Sequence, residues 1–230
     1  MGLDHGSEQR HHEHVLMNAR SRPMTHEVRA RLLDAAEALL ADRRPAAITS
    51  RDIARAAALS DGVLYNHFAD KHDLLLAALV RRFERLTGAH AADPVAAGTG
   101  SIADGIAEVV RRGHAIQVAV LPMLANLAGD PALLGRFLVE IHRPPLGGDV
   151  FARPVRSWLA AEQAAGRIRA GDLEGLTSLV VGAVLLQGLI DVLGHRPSSD
   201  RDAQLSAIAA ALVPALLPHS GGPDAPHRHA

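Results

Sequence analysis

Apolar residues recur at helical spacing along most of the chain. Val28, Leu32, Ala35, Ala36, Leu39 and Leu40 mark the buried face of a first helix. Thr49 or Ser50 offers an N-cap for a short second helix carrying Ile53, Ala54 and Ala57. Ser60 can cap a third short helix holding Val63 and Leu64, and a longer one starts near Asp70 with Leu74, Leu75, Ala78, Leu79, Phe83 and Leu86. After a Gly-rich, Pro-containing stretch near residues 91–100, more apolar helices are predicted over 101–128, 131–142, 149–165, 172–193 and 201–217. Gly166, Gly171 and Gly194 act as stops, and Pro122 and Pro214 as kinks. No run alternates with period two, and the strand-favouring aromatics make up only 3% of the chain. The pattern predicts an all-α fold.

The two ends lack this periodicity. Residues 1–23 carry His5, His11, His12 and His14, and residues 219–230 carry His227 and His229 among Gly and Pro. Neither can offset its ordering entropy by burial, so both are expected to be disordered tails. A solvated tail outweighs metal capture by His11, His12 and His14, and no metal site is expected. His12-Glu13 and His26-Glu27 begin like a metalloprotease helix, but Leu16 and Ala30 stand where the second histidine belongs.

Composition narrows the classes further. At 230 residues and 48% hydrophobic, the chain can bury roughly 70–75% of its unfolded surface. Cysteine is absent, which removes disulfides, thiolate metal sites and a cysteine nucleophile. The first twenty residues have no apolar core of the kind an export signal needs. The apolar stretch Gly175 to Ile190 is shorter than the ~20 residues of a membrane span and contains Gln187, so it reads as a buried helix. The expectation is a soluble, cytoplasmic protein with no membrane partner.

The formal net charge is −1, so any nucleic-acid role must rest on a local patch. Residues 20–90 hold 12 basic and 9 acidic side chains, whereas residues 91–230 hold 11 and 13. This asymmetry suggests a small charged binding module ahead of a larger core-forming body. Of the 24 basic residues, a single one is lysine, Lys71.

The segment Thr49–Lys71, TSRDIARAAALSDGVLYNHFADK, follows a helix-turn-helix plan. A two-turn helix is joined by a tight link at Ala58-Leu59-Ser60 to a second short helix, a unit that presents the second helix to the major groove. It resembles the tetracycline-repressor (TetR) family of transcriptional regulators. The resemblance rests on Thr49-Ser50, Asp52-Ile53-Ala54, Ser60, Gly62, Leu64-Tyr65, His67-Phe68, Lys71 and Leu74, and it spans roughly residues 25–80. It implies a DNA-binding domain over residues 24–70 with a linking helix to about 88, then a ligand-binding and dimerisation domain over 89–218.

The resemblance also assigns roles. Ser50 looks like a phosphate contact, which a hydroxyl at a helix N-terminus supports, although capping by Thr49 or Ser50 needs no DNA. Arg51 can reach a guanine edge or a phosphate. Asp61, Gly62, Tyr65 and Asn66 are expected to face the groove. The family places the Tyr65 hydroxyl, His67 and Lys71 on the DNA backbone, while Asn66 can read an adenine edge. Phe68 is expected in the core. Two departures bear on the operator. Ala58 stands where the family usually has glycine, and Asp61 is acidic at the start of the recognition helix, where it can accept from a cytosine amino group.

For the body, Leu176, Leu179, Val180, Ala183, Val184 and Leu186 wrap around their helix, which predicts cover on all sides. Helices 172–193 and 201–217 are expected to pair with their twofold mates, with Gly175, Gly182 and Gly188 allowing close approach. Ala161-Glu162 with Gly166-Arg167-Ile168 resembles a loose feature of the same region in that family. Polar or adaptable groups on apolar helices nominate a pocket of Gln117, Met123, Asn126, His142, Trp158 and Gln187. No cofactor is called for, and the stretch Gly98-Thr99-Gly100 does not continue as a dinucleotide fingerprint, so no enzyme is expected. The expected function is a homodimeric repressor on a double-stranded operator, released by a small-molecule effector. The alternative is a helical small-molecule- or protein-binding module without sequence-specific DNA binding.

Overall fold

In a computed structural model, residues 25–91, 94–144, 146–147, 149–194 and 200–217 are described, with backbone only for 89–91. The histidine-rich tails lie outside them. The described residues are helical, with no strand among them. Helix α1 covers 25–42, followed by α2 (Ser50–Ala56), a 3-10 helix (Val63–Asn66), α3 (Lys71–Ala91) and α4 (Ile102–Leu127). Helices α5 (Pro131–Ile141), α6 (Ala152–Ala164), α7 (Leu173–Val192) and α8 (Arg201–Leu216) complete the chain. Both α4 and α8 continue through Pro122 and Pro214.

Two compact units emerge. The first contains the residues up to Arg82 together with Asn126–Leu138, and the second contains Phe83–Ala125 and the residues from Val139 onward. In the first, Leu32, Ala36, Ile53, Leu64 and Leu74 are fully buried, so the short helices share one apolar centre. Asn126 belongs to this unit, where its side-chain amide donates to the carbonyls of Leu40 and Arg43 at 3.1 Å each. It satisfies the open end of α1 and is not a pocket residue.

Helix α2 starts with a capping box. The Thr49 hydroxyl accepts from Asp52 N at 3.1 Å, and Asp52 Oδ2 accepts from Thr49 N at 3.0 Å. The Thr49 hydroxyl also donates to Asp52 Oδ2 at 2.7 Å; this bond and the one from Thr49 N, aided by Arg43 and Arg55 and opposed by partial desolvation, hold the Asp52 carboxyl below its usual value.

The helix ends in a Schellman motif. Leu59 N donates to Ala54 O at 2.9 Å and Ala58 N to Arg55 O at 3.1 Å, while Ala58 itself sits at φ +52°. Helix α6 ends with the same pair of bonds, Arg167 N to Glu162 O and Gly166 N to Gln163 O, but there the left-handed residue is Gly166 at φ +69°. An L-residue in that region costs roughly 1–2 kcal/mol, of which glycine's added chain entropy offsets roughly half. Ala58→Gly should therefore raise the thermal midpoint by roughly 1–4 °C, read by calorimetry. A lower midpoint would mean that the Arg31 guanidinium, which donates to the Ala57 and Ala58 carbonyls, already relieves the turn.

The second unit is built around Ile106, Val110, Leu159, Val180 and Leu212. Glycines set how closely its helices approach. A Cβ on Gly105 would lie 2.4 Å from the Trp158 ring, and one on Gly188 would lie 2.8 Å from Gln117 Cβ. Gly188 thus brings α7 against α4 of the same chain, not against a twofold mate. Gly182 faces open space, and Gly175 meets only the side chain of the N-cap Asp172. At 20 residues α7 is long and apolar enough to cross a membrane, longer than the sequence stretch suggests. Its inner face nevertheless has the features of a core helix: Leu176, Val180, Val184 and Gln187 are buried. Its other face is open in the single chain, with Leu179, Leu185, Leu186, Leu189 and Leu193 exposed.

Candidate nucleic-acid interface and an apolar cavity

The turn after α2 brings the two short helices together so that their polar residues share a surface. Leu64 anchors the segment at 0% exposure and Phe68 at 5%, with the Arg29 guanidinium 4.9 Å above the Phe68 ring. The segment over Val63–Asn66 is a single 3-10 turn with no side-chain cap, so Ser60 does not cap a third α-helix. With Gly62 before it and Asn66 ending it, four residues are too few to repay α-helix nucleation.

Tyr65 stands out from this turn with 59% of its surface exposed, and its hydroxyl lies 3.3 Å from Ser50 Oγ. Two hydroxyls from two elements therefore converge on one point, a donor arrangement that suits a phosphate oxygen. Arg51 and Asp61 are also exposed and pair with each other at 3.3 Å. In the absence of DNA, Arg51 is thus partly neutralised by Asp61. Ser60, Gly62 and Asn66 are exposed and His67 half-buried. Thr49 is taken up by the cap.

Lys71 is placed differently from the rest. Its ammonium donates to Ile48 O at 2.8 Å and to Pro45 O at 3.4 Å. The single lysine therefore ties the start of α3 to the turn before α2, which leaves at most one of its three donors for a phosphate.

In the second unit, α4, α6 and α7 line a pocket of about 480 Å³ that is open to solvent on one side. Gln117 and Trp158 line it. Met123 is buried but does not line it, and His142 is exposed beyond the end of α5. Gln187 instead donates to Asp191 Oδ1 at 3.1 Å. The Trp158 indole N–H is buried without a hydrogen-bond partner.

One wall is the segment Pro94, Val95 and Ala97, latched from α6. Gly98 N donates to the 1%-exposed Glu162 at 3.0 Å, and Arg167 reaches Gly100 O at 2.7 Å while its Nε lies 3.1 Å from the second Glu162 oxygen. This is the structural role of the Glu162 and Gly166-Arg167 positions. Arg112 and Arg153, which also line the cavity, escaped the sequence reading. A signal for Arg112 existed: Val109, Arg112, Gly113, Ile116 and Gln117 form one i, i+3, i+4, i+7, i+8 stripe, on which a cation is out of place.

Residues 32–78 match the model of bacterial regulatory proteins of the tetR family. Two HTH-type transcriptional regulators of uncharacterised role, from two strains of Mycobacterium tuberculosis, are 30% identical over 190 residues, 83% of this chain and 86% of theirs. The chain belongs to the TetR family. Solved structures agree with this TetR-family fold at low identity. A transcriptional regulator from Saccharomonospora viridis in complex with choline is 17% identical with a TM-score of 0.62, covering 84% of this chain and all of its own. The regulator FadR from Bacillus subtilis, in complex with stearoyl-CoA, is 17% identical with a TM-score of 0.58, covering 80% of this chain and 97% of its own. As a TetR-family transcriptional regulator, the chain carries its helix-turn-helix in the residues that converge around Ser50 and Tyr65.

Proposed function

We propose that this TetR-family regulator is a cytoplasmic homodimeric repressor that a small molecule releases from a palindromic operator. The observation that carries the reading is the pocket of about 480 Å³ in the second unit, of the size and apolar character of small-molecule sites. The exposed leucines of α7 support a twofold interface, and a dimer reads half-sites about 34–36 Å apart. A ligand that binds the DNA-free form better shifts the population toward it, and by linkage operator and ligand weaken each other by the same factor.

Selection from a random duplex library at moderate salt tests this reading. The expected product is a palindrome with half-sites about one helical turn apart. On that sequence Tyr65→Ala should bind at least about tenfold more weakly, as loss of one hydrogen bond to a charged group implies. Recovery of nothing above background, with the variant and the natural chain alike in non-specific binding, would overturn the proposal.

A further inference from the structure

Asp61 stands on the exposed surface of the helix-turn-helix without a structural task. The carboxylate that follows Arg51 in the chain, Asp52, is engaged by Thr49 and lies 3.8 Å from Arg43. Among the described residues the polar partner of Asp61 is Arg51, whose Nε lies 3.3 Å from Asp61 Oδ2. The two side chains are 81% exposed for Arg51 and 64% for Asp61. An ion pair this open to water adds little to stability. It also works against DNA affinity, because the carboxylate repels phosphate and offsets the charge of Arg51. A phosphate clamp at position 51 would be stronger with no acid beside it, so the pair fits a different task.

That task is the reading of a base. With the carboxylate on the Nε side of the guanidinium, the Nη groups remain as a planar fork of donors. Guanine alone among the bases presents a matching pair of acceptors, O6 and N7, in the major groove. The contact between Ser50 and Tyr65 joins the same two segments one residue earlier on α2, which sets Arg51 beside a hydroxyl pair suited to a phosphate. A Cβ on Gly62 would meet nothing within 4 Å, so a base edge has room next to Asp61. From this pair we infer that Asp61 is a positioning residue for Arg51, and that the two together select guanine at one position of each half-site. An unrestrained arginine would lose more rotamer freedom on docking and could turn to a neighbouring phosphate. Asp61 repels that phosphate and keeps the fork for the base. The inference rests on the reading of the chain as a sequence-specific operator binder.

The full chain, Arg51→Ala, Asp61→Asn and the double variant are each put through selection from a random duplex library. Each is also titrated with a scrambled duplex at several salt concentrations. The natural chain should prefer guanine at one position of each half-site by about tenfold or more. Arg51→Ala should abolish that preference, and the double variant should match it there. Asp61→Asn should weaken the preference by about three- to fivefold, the upper range for an exposed ion pair, while binding the scrambled duplex more tightly than the natural chain. A merely structural Asp61 would instead weaken both kinds of binding together, and that result would overturn the inference. So would a guanine preference that survives Arg51→Ala or is unchanged in Asp61→Asn. An effect of Asp61→Asn at another position that persists without Arg51 would also overturn it, making Asp61 a base reader in its own right. All of these leave the repressor reading standing. Recovery of no sequence above background by the natural chain would overturn that reading, and this inference with it.

Discussion

Asp191→Ala should lower the thermal midpoint by on the order of 10 °C, the largest stability effect expected of any polar position in the second unit. Asp191 near the end of α7 is a hub. His114 Nε2 of α4 lies 2.7 Å from Oδ2, Arg201 Nε of α8 lies 3.2 Å from the same oxygen, and Gln187 donates to Oδ1 at 3.1 Å. The side chains of His114 and Asp191 are each 6% exposed. Removing Asp191 leaves the buried His114 ring without its carboxylate, at a cost of about 3 kcal/mol. The lower end of the usual range applies because Arg201 keeps 39% of its side chain in solvent. The pair His114→Leu with Asp191→Leu should recover much of the loss, since apolar replacement removes the buried pair while Arg201 keeps its contact with solvent. If the single and double variants melt alike, the cluster does not act as a unit.

The same residue shapes the acid limb of stability. Burial works against the charge of Asp191, but the hydrogen bond and proximity of His114, with Arg201 and Gln187, outweigh it and hold the carboxyl below its ordinary value. A group whose pKa is depressed by folding contributes stability that is fully present above its unfolded value, near 3.9, and is lost as pH falls through the lower folded one. Above about pH 5 the proton occupancy of Asp191 itself no longer changes the stability. Below about pH 4 its contribution fades, and Asp191→Asn, which has no such proton to gain, should show a flatter acid limb in denaturant melts.

Helix boundaries were legible in the sequence because their signals are local. Gly166 and Gly194 both adopt positive φ where they end α6 and α7. The expected spans 172–193 and 201–217 differ from Leu173–Val192 and Arg201–Leu216 by one residue at an end. The convergence of Ser50 and Tyr65 was legible only through the spacing of the helix-turn-helix, since 15 residues separate them. What failed was the choice of partners. Asn126 and Gln187 both looked like polar groups on apolar helices, and periodicity predicts that such groups are buried, not what they meet. Asn126 meets a carbonyl 86 residues away, whereas Gln187 meets a carboxylate one turn along its own helix. Lys71 shows the same limit: a lone lysine beside a DNA-binding motif suggests phosphate, yet its ammonium closes the turn at Pro45–Ile48.

Leu186→Glu, alone or with Leu193→Glu, should convert a dimer to a monomer at micromolar concentration in equilibrium sedimentation. Leu179 and Leu186 of α7 and Leu193 at its C-cap recur every seven residues and are 51%, 60% and 60% exposed in the single chain, with Leu185 and Leu189 beside them at 43% each. A leucine moved fully from water contributes roughly 1.5–3 kcal/mol, so each has about half of that still to gain, and twofold symmetry counts every position twice. Ala203, Ala207, Ala210 and Ala211 on the exposed side of α8 add a surface low enough for close helix approach. Glutamate at 186 would bring one negative charge from each protomer into that contact. Because the position is exposed within one chain, helicity and thermal midpoint should change little, which separates lost association from lost folding. Affinity for a two-half-site operator should fall by about two orders of magnitude or more as the second half-site ceases to be held at high local concentration. A variant that stays dimeric would place the interface on another face and leave these leucines without an assigned partner.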